Sequence, residues 1–212
     1  MNIRLSALIA SCVFSSSFLV GCAFTKSQPI TTYDLGKPST PSGDVFFKST
    51  VDGAISLRSN PITVADVTSP AWLDGQMMVY RLSYDNDQQP QPYATSRWSM
   101  PPAQLFGQRV KTRLAQGGNV VLSDADGAVN IPVLRIEMDD FSQNFANVTQ
   151  SDVHIAIRAS VFKGRNLIAQ RSFEQTLPAP PDAAGGARAL SQATDLMIHD
   201  MATWISALPT KY

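Results

Sequence analysis

Cysteine and histidine are scarce in this chain: two cysteines, Cys12 and Cys22, and two histidines, His154 and His199, in 212 residues. Beyond residue 22 there is no thiol at all, which excludes a disulfide framework, a thiolate nucleophile and a cysteine-ligated metal. The two histidines are far apart and form no H-x-x-x-H or H-x-x-E-H arrangement, so no metal is expected. Charge of one sign is also missing: 17 basic residues face 17 acidic ones, which leaves no electrostatic footprint for nucleic acid. After the first 20 residues no apolar run approaches the length needed to span a bilayer. Catalytic signatures are absent as well. There is no G-x-S-x-G elbow, S-x-x-K pair, G-x-G-x-x-G or Walker pattern, and Asp124-Ala125-Asp126-Gly127 lacks the other ligand positions of a calcium loop and reads as a turn. No catalytic residue and no cofactor is therefore expected.

What is present begins at the N-terminus. Met1 to Arg4 is a short basic start, Leu5 to Val20 is uncharged and largely apolar, and Gly21-Cys22 closes the run. This is a secretory leader, to be left out of the fold. Its end, Leu19-Val20-Gly21-Cys22, resembles the bacterial lipobox, in which the cysteine after a small residue is diacylated and becomes the new N-terminus. Residues 1–21 are thus expected to be removed and Cys22 to carry the acyl chains. Two or more chains give stable attachment, since each buried methylene adds about 0.8 kcal/mol. Ala23 follows the cysteine where, in the enterobacterial sorting convention, an aspartate would hold the protein at the inner membrane. The expected location is the outer membrane, with the domain facing the periplasm. Without Arg4, 16 basic residues stand against 17 acidic ones, a formal charge of −1.

Residues 22–29 read as a lipidated N-terminus and tether, and 30–212 as a single domain. Ile30 to Leu35 predicts a short strand; Lys37 to Gly43, K-P-S-T-P-S-G, is turn-like. Ile55 to Arg58 and Ile62 to Val64 alternate as strands, with Pro61 suggesting an edge or a break. Pro70 to Gly75 is a turn bearing Trp72 and Leu73, and Met77 to Tyr84 a strand. Asp85 to Pro92 is all turn and polar residues, the expected tip of a hairpin returning through Tyr93 and Thr95. Ser99 is expected to cap a helix with Pro101 and Pro102 in its first turn. Ala103, Phe106, Val110 and Leu114 form its apolar face, Gln108, Arg109, Lys111 and Arg113 much of the rest, and Gly117-Gly118 its end.

Val120 to Leu122 starts the second half. Ile131 to Phe141, Val153 to Val161 and Leu167 to Leu177 then alternate apolar and polar residues, the last two across the turn Lys163-Gly164-Arg165-Asn166. A helix over about Ala187 to Leu208 carries Leu190, Ala193, Met197, Met201, Trp204 and Leu208 at three- and four-residue spacings. Together these predict an α+β fold, a mainly antiparallel β-sheet packed against two principal helices. Glu137 and Asp139 share a strand face next to Asp140 and read as a solvated or polar-contact face. Large side chains cluster before and at the first helix: Trp72, Leu73, Met77, Met78, Tyr80, Tyr93, Trp98 and Met100. Core is one role for them. Partner contact is the other, with Trp72, Leu73, Trp98 and Met100 as the candidates.

With the segments placed, the chain resembles the ABC-type transport auxiliary lipoprotein family, whose best-known member is the outer-membrane lipoprotein of the paraquat-inducible Pqi system. The resemblance rests on the order and spacing of L-V-G-C at the anchor, T-T-Y-D-L at 31–35, I-T-V-A-D-V-T-S-P-A-W-L-D at 62–74, M-V-Y-R-L at 78–82 and R-W-S-M-P-P at 97–102. It implies a non-enzymatic auxiliary part in an envelope transport system. There an inner-membrane-anchored MCE-domain protein forms a hydrophobic conduit spanning the periplasm, and the lipoprotein docks it at the outer membrane, with lipid or another apolar molecule as cargo. It also implies a homo-oligomer, a ring of copies, as one form of the docking surface. Two other classes stay open: an outer-membrane lipoprotein binding a soluble ligand or peptidoglycan, and a structural envelope assembly factor.

Overall fold

In the computed structural model, residues 28–38 and 61–208 are described; the leader, Cys22, most of Lys37 to Gly43 and the strand expected over Ile55 to Arg58 lie outside them. The elements in chain order are strands β1 (Thr31–Tyr33), β2 (Ile62–Val64), β3 (Met77–Leu82) and β4 (Asn86–Trp98), helix α1 (Pro102–Gln116), strands β5 (Val121–Ser123), β6 (Val133–Asn147), β7 (Gln150–Lys163) and β8 (Asn166–Ala179), and helix α2 (Ala183–Ser206). Single 3-10 turns occupy Ala71–Leu73 and Asp124–Asp126.

The alternating segments become the longest strands. β6 and β7 pair antiparallel with Leu134 opposite Val161, Ile136 opposite Ala159 and Met138 opposite Ile157. A bulge between Met138 and Asp140 inserts one residue, so the inward phase moves from Met138 to Phe141, which pairs with Ile155. None of Leu134, Ile136, Met138, Phe141, Val153, Ile155, Ile157 and Ala159 is more than 2% exposed. β7 and β8 continue the antiparallel ladder, with Ile157 opposite Phe173 and Val153 opposite Leu177.

The sheet as a whole is mixed, which corrects the mainly antiparallel expectation. Among the described residues its eight strands make seven pairings, and four of them, β1–β4, β2–β5, β2–β6 and β3–β6, are parallel. Two of the four, β2–β6 and β3–β6, share one cause. The stretch from Ile62 to Leu82 runs along the free edge of β6 in the same direction, through β2, then Thr68, then β3. Thr68 N–H donates to Ile136 O at 3.1 Å, and Met138 N–H donates to Thr68 O at 2.8 Å. The turn at Ala71–Leu73 interrupts this path without reversing it. β2 is therefore interior, between β5 and β6, so of the edge or break that Pro61 suggested the edge does not hold. The α+β class with two helices stands.

Three local boundaries also differ. The β3–β4 reversal takes only Ser83 to Asp85, with Asp85 N–H on Leu82 O at 2.9 Å, so the polar stretch from Asn86 onwards is strand. Pro90 and Pro92 are tolerated there because this part of β4 is an edge that needs no further ladder donors. Ser99 does not cap α1. Pro101 occupies that position, no side chain caps the helix, and Pro102 opens it where an amide would have no partner. α2 starts at Ala183, four residues before the expected Ala187, capped by Asp182, whose Oδ1 accepts from Gly185 N–H at 2.6 Å.

Both helices cover the apolar face of the sheet. Ala103, Phe106, Val110 and Leu114 of α1 and Leu190, Ala193, Met197 and Met201 of α2 are buried in one core with the strands, as their spacing predicted. Gly117-Gly118 ends α1, with Gly118 at φ 83°, a conformation that favours glycine.

Candidate interaction surfaces

The four residues nominated for partner contact separate. Leu73 and Trp98 are each 1% exposed. Trp98 meets Phe141 edge-on with ring centroids 5.6 Å apart. Both are core, so neither presents a surface, which corrects half of the nomination. Trp72 and Met100 are only partly buried against that core. The Arg81 guanidinium lies 5.1 Å from the centroid of the Trp72 ring, and Arg81 also reaches Asp140 at 3.9 Å and the Asp87 carbonyl at 3.0 Å. Trp72 is thus held in place with part of its ring accessible.

A shallow cleft of about 240 Å³ opens beside β4, lined by Gln76, Met77, Tyr93, Ser96 and Arg97. It is made by an irregularity in pairing: Met77 faces Arg97 but Val79 faces Pro92, so five steps of β4 stand against two of β3. The surplus backbone swells away from its partner. Gln76 Nε2 donates to Ser99 O at 2.8 Å and closes one wall.

Two buried polar nodes join the layers. In the first, Arg109 of α1, 5% exposed, donates to the carbonyls of Leu35 and Gly36 and to Ser191 Oγ, and pairs with Asp195 of α2 at 3.2 Å. Ser191 Oγ–H also donates to Leu35 O at 2.6 Å, and Arg113 binds Asp195 at 2.6 Å. Burial pushes the Arg109 guanidinium down, while Asp195 opposes the shift. This node clamps the chain just after β1 onto both helices.

In the second node, Gln143, 1% exposed, accepts from Tyr93 Oη at 2.9 Å and donates to Ser151 Oγ at 2.8 Å and Pro180 O at 2.9 Å. Burial raises the Tyr93 hydroxyl well above its ordinary range, with Tyr80 and Asp182 adding to the effect. The first turn of α2 rests on this node through Gly185 and Gly186. A Cβ on Gly185 would lie 2.7 Å from Pro180 O, and one on Gly186 would lie 2.8 Å from Gln143 Cδ.

The face away from the helices is polar. Glu137 forms an ion pair with Arg158, which raises the Arg158 guanidinium through their hydrogen bond. His154 Nδ1 lies 3.2 Å from Thr176 Oγ1. Among the described residues no group of histidine, cysteine or acidic side chains could hold a metal. One end of the sheet differs. The β3–β4 and β6–β7 turns emerge together there, because β3 and β6 run parallel with Leu82 opposite Phe145 and Ser83 N–H donating to Phe145 O at 2.9 Å. Tyr84 is 50% exposed at the first tip and Val148 74% exposed at the second.

Neither polar node was foreseen in the sequence. Arg109 read as part of the wet face of α1, although it directly precedes the buried Val110. Its partners Ser191 and Asp195 are more than 80 residues away, so no spacing rule links them. For the second node a signal existed: a tandem glycine just before an apolar stripe marks a close approach of backbone to a neighbour.

A family model described as "ABC-type transport auxiliary lipoprotein component" matches residues 49–202. No curated protein matches in sequence. Among solved structures, the chain is similar to a Xanthomonas campestris protein of the DUF330 family, with TM-score 0.61 and 16% identity over 85% of this chain and 87% of that one. It is also similar to an uncharacterized protein, with TM-score 0.64 and 17% identity over 84% and 99%. At these identities the likeness shows the fold.

Proposed function

Since the chain belongs to the ABC-type transport auxiliary lipoprotein family, we propose that it is a non-enzymatic docking component of an envelope transport system. On this reading it is held at the outer membrane by acyl chains on Cys22, faces the periplasm, and receives an MCE-domain protein that spans the periplasm. The family match over residues 49–202 carries the reading. The lipobox at residues 19–22 supports the anchor. The way polar groups are used agrees with a positioning role: Arg109, Asp195, Gln143, Tyr93 and Glu137 are each engaged with other residues of the domain. The acyl chains fix the distance to the membrane, and the nine residues from Cys22 to Thr31 give a reach of about 30 Å. The partly accessible Trp72, stacked on Arg81, is the aromatic anchor offered to the partner.

The test is crosslinking in cells followed by mild-detergent capture of the mature lipoprotein and identification of bound proteins by mass. Enrichment of an MCE-domain protein, lost in Trp72→Glu at unchanged melting temperature, is the expected outcome. Recovery of only peptidoglycan-linked or unrelated envelope proteins would reject the docking role. The cleft at Gln76, Ser96 and Arg97 favours a second reading, binding of a small polar ligand. That reading requires saturable binding which is abolished in Arg97→Ala.

A further inference from the structure

The direction of β1 determines from which side the tether reaches the domain. β1 runs parallel to β4, with Thr31 opposite Ser96 and Tyr33 opposite Trp98. β4 itself runs away from the β3–β4 turn, so the chain upstream of Thr31 comes from the side where that turn lies. The β6–β7 turn lies on the same side. Gln28, Pro29 and Ile30 are exposed as they approach β1.

Lengths decide which end of the domain the anchor can bring to a membrane. From the Met77–Arg97 pair to the Leu82–Asn86 pair is five steps of β3, about 17 Å. Nine residues from Cys22 to Thr31 span about 30 Å when extended. An extended tether therefore passes the tips by only about 10 Å, and any bend in it brings them closer. To bring the opposite end to the membrane, the same nine residues would first have to reverse direction. They would then have to run back about 23 Å, the seven steps of β6 from the level of Asp140 to Val133.

The chemistry of the tip end suits a lipid surface. Phe145 to Ser151, around the second turn, and Leu177 to Pro181, where β8 leads to α2, carry no charge. Val148 and Ala146 are exposed in the former, and Pro178 and Pro180 in the latter. Tyr84 is half-exposed at the first turn, and tyrosine, with an apolar ring and a polar hydroxyl, prefers the membrane–water interface. Asp85 and Asp87 follow it closely in the chain, so contact stops at headgroup depth and weakens against an anionic surface.

We propose that the end of the domain bearing Tyr84 and Val148 rests on the phospholipid surface that holds the anchor, leaving the Lys163–Asn166 turn at the far end to face away from the membrane. The proposal rests on Cys22 being the acylated residue. Because the mature chain has no other cysteine, single reporter cysteines can be placed at Ser83→Cys and Thr149→Cys beside the tips, with Arg165→Cys as the distal control. Each is labelled with an environment-sensitive fluorophore in the full-length lipidated protein on zwitterionic phosphatidylcholine vesicles containing a headgroup nitroxide lipid.

The expected result is several-fold stronger quenching at residues 83 and 149 than at 165. It should fall in the Tyr84→Asp, Val148→Asp double variant and on addition of anionic phosphatidylglycerol. Equal quenching at all three positions, or stronger quenching at 165, in protein that floats with the vesicles overturns the proposal and leaves the anchor intact. So does shielding of residues 83 and 149 from both lipid and aqueous quenchers, which would mean that protein covers the tips. Failure to float, with no acyl mass on Cys22, overturns the anchor reading and this proposal together.

Discussion

Replacing Gly186 by alanine should destabilise the domain, although helix propensity alone would favour the change by about 1 kcal/mol. The new methyl would stand 2.8 Å from Gln143 Cδ and closer still to Oε1. A flexible side chain would swing aside at little cost, but this carboxamide is held at three points, by Tyr93, Ser151 and Pro180. Displacing it loses hydrogen bonds worth about 0.5–1.5 kcal/mol each and strands buried polar groups. Against the propensity gain, a net loss of about 2 kcal/mol is expected. Urea unfolding followed by tryptophan fluorescence measures it. In a Gln143→Ala background the obstruction is gone, so the same glycine replacement should become neutral or favourable, a coupling of at least about 2 kcal/mol in a double-mutant cycle. A Gly186→Ala protein that is about 1 kcal/mol more stable than the parent would refute the close approach and the seating of α2 on the node.

Two further outcomes follow from the other contacts. Arg109→Leu leaves the Leu35 and Gly36 carbonyls short of donors and part of the Asp195 charge uncompensated; a loss of about 3 kcal/mol is expected, with faster amide exchange over residues 31–36, and a loss below about 1 kcal/mol would mean the clamp is not formed. For Tyr93, the folded-state hydroxyl is raised above its ordinary value near 10, so its contribution is fully present below about pH 10 and is lost as pH rises further. Alkaline titration of stability should therefore be shallower above about pH 10 in Tyr93→Phe than in the parent; identical slopes would show that the hydroxyl is not raised in the folded state.

The parts of the fold that could be read from the sequence are those whose information is local. Val153, Ile155, Ile157, Ala159 and Val161 alternate because β7 has one wet face and one dry one, and Leu190, Ala193, Met197 and Met201 recur because α2 covers the dry face. Strand direction is different in kind. Ile62 to Val64 has the same composition whether it pairs parallel or antiparallel, and the choice is made by the path of the chain along β6. The polar composition of Asn86 to Pro92 misled in the opposite sense, because an edge strand with no second neighbour can accept residues that favour turns. Among the nominated contact residues, Trp72 and Trp98 look alike in sequence. Only the pairing of Trp98 with Tyr33 and its packing on Phe141 place one in the core and leave the other at the rim.

The parallel attachment of β1 to β4 has a mechanical consequence. Tension transmitted through the proposed anchor would act along the β1 axis, so the hydrogen bonds of its three residue pairs would share the load in shear instead of opening one after another. Behind them, Arg109 and Ser191 grip Leu35 and oppose slippage of the strand. A pull that exceeds both must release residues 31–36 as one piece, stripping the edge of β4 while the β6–β7–β8 ladder, which shares none of these bonds, stays folded. The attachment point is thus the mechanical fuse of the domain; on the docking reading proposed above, the force at which it yields would set the largest excursion that membrane and partner could impose on each other.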